Sequence, residues 1–106
     1  MIASGDNEAK VKAEVRKILN RFPDVFYFMP QAGIYGRSGV PDFIMCVNGK
    51  FIGVECKAYH CANDVTALQK LARDAIVGAG GEWILVCNNA TLNYLEAIIL
   101  SATFAK

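Results

Sequence analysis

A chain of 106 residues, 54% hydrophobic and 20% charged, has room for one modest core and is too apolar and too even for a disordered tail; it is also close to the size at which burial against a second copy begins to help. The formal net charge of +1 looks too neutral for gripping a polyanion, but setting Glu8, Asp42 and Glu55 aside leaves seven acidic groups against eleven basic ones, enough for a local basic patch. No apolar run reaches the about 18 residues of a spanning helix and no basic stretch precedes an apolar one at the N-terminus, so the expectation is a single domain over residues 1–106, cytoplasmic and without a membrane partner.

In chain order, residues 7–21 read as a helix that Asp6 or Asn7 can cap, with Val11, Val15, Ile18, Leu19 and Phe22 recurring every three to four residues. Extended back one turn, that stripe lands on Glu8, whereas Glu14 falls at its edge beside Lys10, Lys12 and Lys17 on a solvated face. Pro23 closes the helix, and residues 25–29 make a short apolar strand ended by Pro30. The loop "QAGIYGRSG" follows, whose glycines, tyrosine and arginine suit close approach to a phosphate without matching a nucleotide-binding fingerprint. Two strands, "PDFIMCV" and "KFIGVECK", flank Asn48-Gly49, a strong hairpin signal. Asp64 then caps a helix over residues 65–81 with Leu68, Ala72, Ala75, Ile76 and Ala79 facing inward, "EWILVCN" is a buried strand, and residues 90–104 form a last amphipathic helix. The order αβββαβα predicts an α/β fold with a mixed sheet flanked by helices.

Of the four cysteines, Cys46, Cys56, Cys61 and Cys87, three sit in apolar strand-like runs and read as core thiols. A zinc site from Cys56, His60 and Cys61 is the sharper alternative, but it lacks a fourth ligand at a recognised spacing.

The hairpin carries the chemistry. A two-residue loop at Asn48-Gly49 makes opposed residues sum to 97, which sets Asp42 across from Glu55 with Cβ atoms about 5 Å apart and puts Lys57 on the same face, one step further. Two opposed carboxylates either raise one pKa or require a cation between them. Hard oxygen ligands at that separation suit Mg2+ or Mn2+, with the backbone carbonyl of Cys56 also in reach, and Lys57 could then orient water or stabilise developing charge. The plainer reading is a surface ion pair of Asp42 or Glu55 with Lys57 on a solvated face.

"GRSGVPD", a glutamate in "ECK" thirteen positions after Asp42, and Gln69 early in a helix resemble the PD-(D/E)xK nuclease superfamily, and within it the virus-type replication-repair nuclease (VRR-NUC) family in a standalone minimal form. The resemblance runs from Glu8 to the strand at 83–87. It implies a restriction-endonuclease-like αβββαβ core with an extra C-terminal helix. It further implies that Asp42 and Glu55 bind the divalent metal, that Lys57 serves the attacking water, that Gln69 supports the site, and that Glu8, or Glu14 as fallback, is the first-helix acid acting on the metal indirectly. The implied activity is metal-dependent hydrolysis of DNA phosphodiesters, on branched DNA such as a four-way junction, by a homodimer. The sequence does not locate its interface, and strand 25–29 and the final helix are the apolar surfaces most able to supply one. Tyr35, Gly36, Arg37, Ser38 and Gly39 would meet phosphates, with Lys10, Lys12, Arg16, Lys50, Lys70 and Arg73 as weaker contacts. Flap, nicked or sequence-specific duplex substrates, a non-catalytic nucleic-acid-binding module, and a small structural protein are the alternatives.

Overall fold

A computed structural model describes residues 1–31, 36–60 and 62–105 of the chain. Asn7 caps the first helix, its side chain accepting the Lys10 amide at 2.9 Å, and α1 runs Glu8–Leu19. The strands are β1 (Val25–Phe28), β2 (Phe43–Val47), β3 (Lys50–Cys56) and β4 (Glu82–Val86), and the remaining helices are α2 (Ala67–Gly78) and α3 (Asn89–Thr103). The four strands form one mixed sheet in the order β1-β2-β3-β4, antiparallel except for the parallel β3–β4 pair. This is the α/β architecture expected, compatible with a restriction-endonuclease-like αβββαβ core followed by a further helix. No helix among the described residues is long and apolar enough to cross a membrane.

Asn48 and Gly49 both adopt positive φ, 50° and 78°, as a tight primed turn requires. The register follows: Phe43 faces Val54 and Val47 faces Lys50, so the opposed numbers sum as the two-residue loop demands. The Asn48 side chain also donates to the Ala102 carbonyl at 3.1 Å, tying the turn to the last turn of α3.

The period-two alternation of the strands divides the sheet into unlike faces. Phe43, Met45, Val47, Ile52, Val54, Ile84 and Val86 are buried against Val11, Val15, Ile18 and Leu19 of α1 and Leu92, Leu95 and Ile99 of α3. Among the described elements the opposite face has only α2, which is anchored through small residues: a Cβ on Gly53 would lie 2.7 Å from the Pro41 ring and 3.2 Å from Ile76. Four expectations for this side are corrected. Thr66, not Asp64, caps α2, because Thr66 and Gln69 form a reciprocal capping box while Asp64 belongs to a short 3-10 turn, Ala62–Asp64. Leu68 is exposed, since the helix turns Ala72 and Ile76 to the sheet instead. Ala75 and Ala79 are exposed along an open cleft of about 430 Å³ shared with Pro41, Ile44, Phe51 and Ile76. Cys46 is exposed on this uncovered face between Phe26 and Phe51 and is not a core thiol, whereas Cys56 and Cys87 are buried. Cys61 lies outside the described residues.

The segment before α1 is fixed at both ends. The Asn89 side chain pairs with the Ile2 backbone, accepting its N–H at 2.7 Å and donating to its carbonyl at 2.9 Å, and the Tyr59 amide donates to the Asp6 carbonyl at 3.1 Å. The start of α1, with Glu8, is thereby held beside the end of β3.

Candidate active site

Pro41 is fully buried over Gly53, and that contact delivers the next residue, Asp42, to the end of the β2–β3 ladder. One step beyond the Phe43–Val54 pair, Asp42 stands across from Glu55 and its Oδ2 accepts the Cys56 amide at 2.8 Å. Lys57 continues β3 by two residues from Glu55, its amide donating to the Val86 carbonyl at 3.0 Å, and is half-buried. The expected trio therefore stands together on the α2 side of the sheet and not on a solvated face.

Glu55 is the unusual member. It is 2% exposed, covered by the first turn of α2. Gln69 bridges the two elements: its Oε1 accepts the Thr66 amide at 2.9 Å as half of the capping box, and its Nε2 donates to Glu55 Oε1 at 2.9 Å. Glu55 Oε2 is buried with no hydrogen-bond partner among the described residues. A buried carboxylate oxygen without a partner is costly unless a cation or proton completes it. Burial first, and then the charge of Asp42, push Glu55 up from the ordinary 4.5 to about 8, with Lys57 pulling the other way.

That shift sets a pH signature. Below about pH 4.5 Glu55 is protonated folded or unfolded, so it costs nothing; from there to about pH 8 the unfolded chain ionises first, and folding is penalised increasingly. In EDTA the protein is expected to lose about 2–4 kcal/mol from this group as pH rises from 4.5 to 8, and Glu55→Gln to flatten that decline. Urea unfolding at several pH values checks it; parallel curves for the two proteins would mean that Glu55 ionises without cost.

Glu8 reaches the site through Lys12. The Lys12 ammonium lies 3.3 Å from Glu8 Oε2 and 3.5 Å from Asp42 Oδ1. Burial works against that charge, but Asp42 and Glu8 outweigh it and raise the lysine above its ordinary value. Glu14 is not in the cluster: it is 3% exposed, paired with the Met1 amine and, at 3.0 Å, with Lys17 on another side of α1. It was expected on a solvated face; the N-terminal segment folding over it accounts for the difference.

The glycine-rich loop meets α2 at Gly39. Gly39 has φ +77°, and a Cβ there would lie 2.4 Å from the Leu68 carbonyl oxygen and 2.9 Å from the Gln69 amide nitrogen. Gly36, Arg37, Ser38 and Gly39 line a cleft of about 300 Å³ with Asp42, so this end of the loop and that carboxylate share one opening. Tyr35 lies outside the described residues. Of the weaker basic candidates, Lys50 is at the far end of β3, engaged with Gly80 and Glu82, and Arg73 is paired with Asp74 beside Trp83. Lys10, Arg16 and Lys70 are exposed.

Among the described residues no three His, Cys, Asp or Glu side chains converge as a preformed metal cage. What the site offers a hard divalent ion is an unpartnered buried oxygen of Glu55 opposite Asp42, with Glu8 linked through Lys12; oxygen donors of this kind fit Mg2+ or Mn2+. The Cys56 thiol suits zinc poorly, because burial, and then the charges of Asp42 and Glu55, push its ionisation up.

No protein-family model, curated protein or solved structure matches the chain. Two further features of the site have local signatures in the sequence. Thr66-Ala67-Leu68-Gln69 is a capping-box pattern that fixes the start of α2. Lys12 follows Glu8 by one helical turn, the spacing of an ion pair.

Proposed function

We propose that the chain is a divalent-metal-dependent endodeoxyribonuclease of the VRR-NUC kind in the PD-(D/E)xK superfamily, acting on branched DNA as a homodimer. The observation that carries this reading is the buried, half-satisfied Glu55 facing Asp42 beneath Gln69, because a purely structural sheet end gains nothing from such a pair. Asp42, Glu55 and the Cys56 carbonyl would hold Mg2+ or Mn2+, with Glu8 acting at one remove. The ion, when bound, supplies polarisation of a phosphoryl oxygen and a more acidic water. Lys57 orients that water and stabilises charge developing on the phosphate. Gln69 keeps Glu55 aimed, and Gly36, Arg37 and Ser38 at the mouth of the shared cleft meet backbone phosphates. The free thiols Cys46, Cys56 and Cys87 suit a reducing compartment such as the cytoplasm.

Incubation with supercoiled plasmid and with labelled four-way junction, flap and nicked duplex, in Mg2+, Mn2+ or EDTA, tests the reading. Cleavage is expected with either metal and none in EDTA. Binding without cutting under every metal would identify a nucleic-acid-binding module instead, and indifference to both DNA and metal would point to a structural protein.

The second copy is assigned to the open half of the sheet. Phe26, Cys46 and Phe51 form a row across β1, β2 and β3, with Phe26 70% and Phe51 42% exposed and Phe28 beside them 50% exposed. The three rings together expose on the order of 300 Å² of apolar surface, a centre for the roughly 800 Å² that each partner buries in a stable interface. Gel filtration is expected to show a dimer that Phe26→Asp and Phe28→Asp dissociate; a monomer at every concentration would remove the second copy.

A further inference from the structure

The one cation within salt-bridge distance of Asp42 among the described residues is Lys12, and its placement exceeds what helix stability needs. Glu8 and Lys12 are one turn apart with the acid N-terminal, the favourable order for a surface pair. A simple surface pair would end there. Here the ammonium spans from α1 to Asp42, on the carboxylate that also holds the Cys56 amide, so it neutralises two acids from separate elements.

Both contacts, at 3.3 and 3.5 Å, are longer than the 2.7–2.9 Å of a close charge-assisted hydrogen bond. The side chain is 29% exposed, so its flexible stem has a path to solvent. Charge attraction, not a locked geometry, keeps it between the acids. A divalent ion drawing on Asp42 would sit within a few ångströms of that ammonium, where like charges repel strongly. The two cations compete for one carboxylate.

We infer that Lys12 is the exchangeable counter-ion of this site, holding Glu8 and Asp42 until a divalent metal takes its place on Asp42. This rests on the metal-site reading above. Lys12 is a positioning residue in this scheme. Because coupling between two occupants is reciprocal, a lysine that metal displaces must also weaken metal binding.

Calorimetric titration of Mn2+ into the DNA-free protein at fixed ionic strength tests this without reference to cleavage. Lys12→Met keeps the stem and removes the charge, and is expected to bind Mn2+ about tenfold more tightly, a size ordinary for coupled sites. Lys12→Arg, which keeps the charge, is expected to stay close to wild type. Lys10→Met, which removes an exposed charge from the same helix end, reports the general field effect and is expected to change affinity less than about twofold. In thermal unfolding, saturating Mn2+ is expected to raise the midpoint of Lys12→Met more than that of wild type, which guards against a folding defect masquerading as lost affinity. Equal or weaker Mn2+ binding by a folded Lys12→Met, or an equal gain in Lys10→Met, overturns the exchange while leaving the metal site standing. A wild-type protein that takes up no Mn2+ removes the metal site itself, and the exchange with it.

Discussion

Lys57→Ala is expected to lower metal-dependent DNA cleavage by about 10²–10⁴-fold while leaving the fold in place and Mn2+ binding no weaker. Lys57 is half-buried beyond the end of β3, and its charge acts directly on Glu55. Lys57 is not among the buried core residues, and urea unfolding of the variant separates lost chemistry from lost fold. Glu55→Ala is expected to abolish both cleavage and Mn2+ binding, and for a different reason: it removes the oxygen that lacks a partner and frees Gln69 Nε2 from its acceptor. Its stability at pH 8 is expected to hold or rise, because the cost of burying that carboxylate goes with it. A catalytic carboxylate and a structural one thus separate cleanly, since removal of a stabilising ion pair would lower stability and leave chemistry alone. Cleavage at wild-type rate in either variant would end the assignment of this site.

Gly39→Ala is expected to destabilise the protein by about 2–4 kcal/mol and to reduce cleavage by more than that loss of stability explains. Two costs combine at this position. The backbone has φ +77°, which an alanine adopts only with strain, and the new methyl would lie 2.4 Å from the Leu68 carbonyl oxygen and 2.9 Å from the Gln69 amide nitrogen. The second cost cannot be relieved by a rotamer, because the atoms struck are backbone at the start of α2. The loop or the helix must shift, and either movement disturbs the Gln69–Glu55 hydrogen bond. Gly49→Ala serves as the comparison: φ is +78° there, but nothing lies within 4 Å of the added carbon, so only the backbone strain of about 1 kcal/mol is expected. Equal urea midpoints for the two variants would show that the loop does not bear on α2.

The readable parts of this fold are those governed by local rules. Asn48-Gly49 determined a register without reference to anything distant, and with it the opposition of Asp42 and Glu55. Helix phase likewise placed Glu8 near the end of β3, because α1 buries an uninterrupted stripe from Val11 to Leu19. Apart from the cap of α2, where the Thr66–Gln69 box is a local pattern, the errors arose where tertiary contacts decide. Glu14 looked solvated because its burial depends on Met1 and the segment before α1. Leu68 looked internal because apolar spacing does not reveal that α2 docks through Ala72 and Ile76 onto Gly53 and Pro41. Cys46 looked internal because alternation assigns a residue to a face without saying whether that face is covered. The role of Lys12 needed Asp42 and Glu8 brought together from elements far apart in the chain.

The one parallel pairing in the sheet imposes an order of assembly. The β1–β2–β3 meander joins sequence neighbours, whereas Ile52 finds Glu82 only after the chain has passed through α2. Hairpins close in about 1–10 µs, and long-range parallel contacts come later because loop-closure entropy must first be overcome. Asp42 and Glu55 therefore meet while still hydrated, where their repulsion is weak. The electrostatic penalty arises only when α2 docks and dries Glu55, so any slowing of folding by this site is expected at that late docking step and not in the early hairpin.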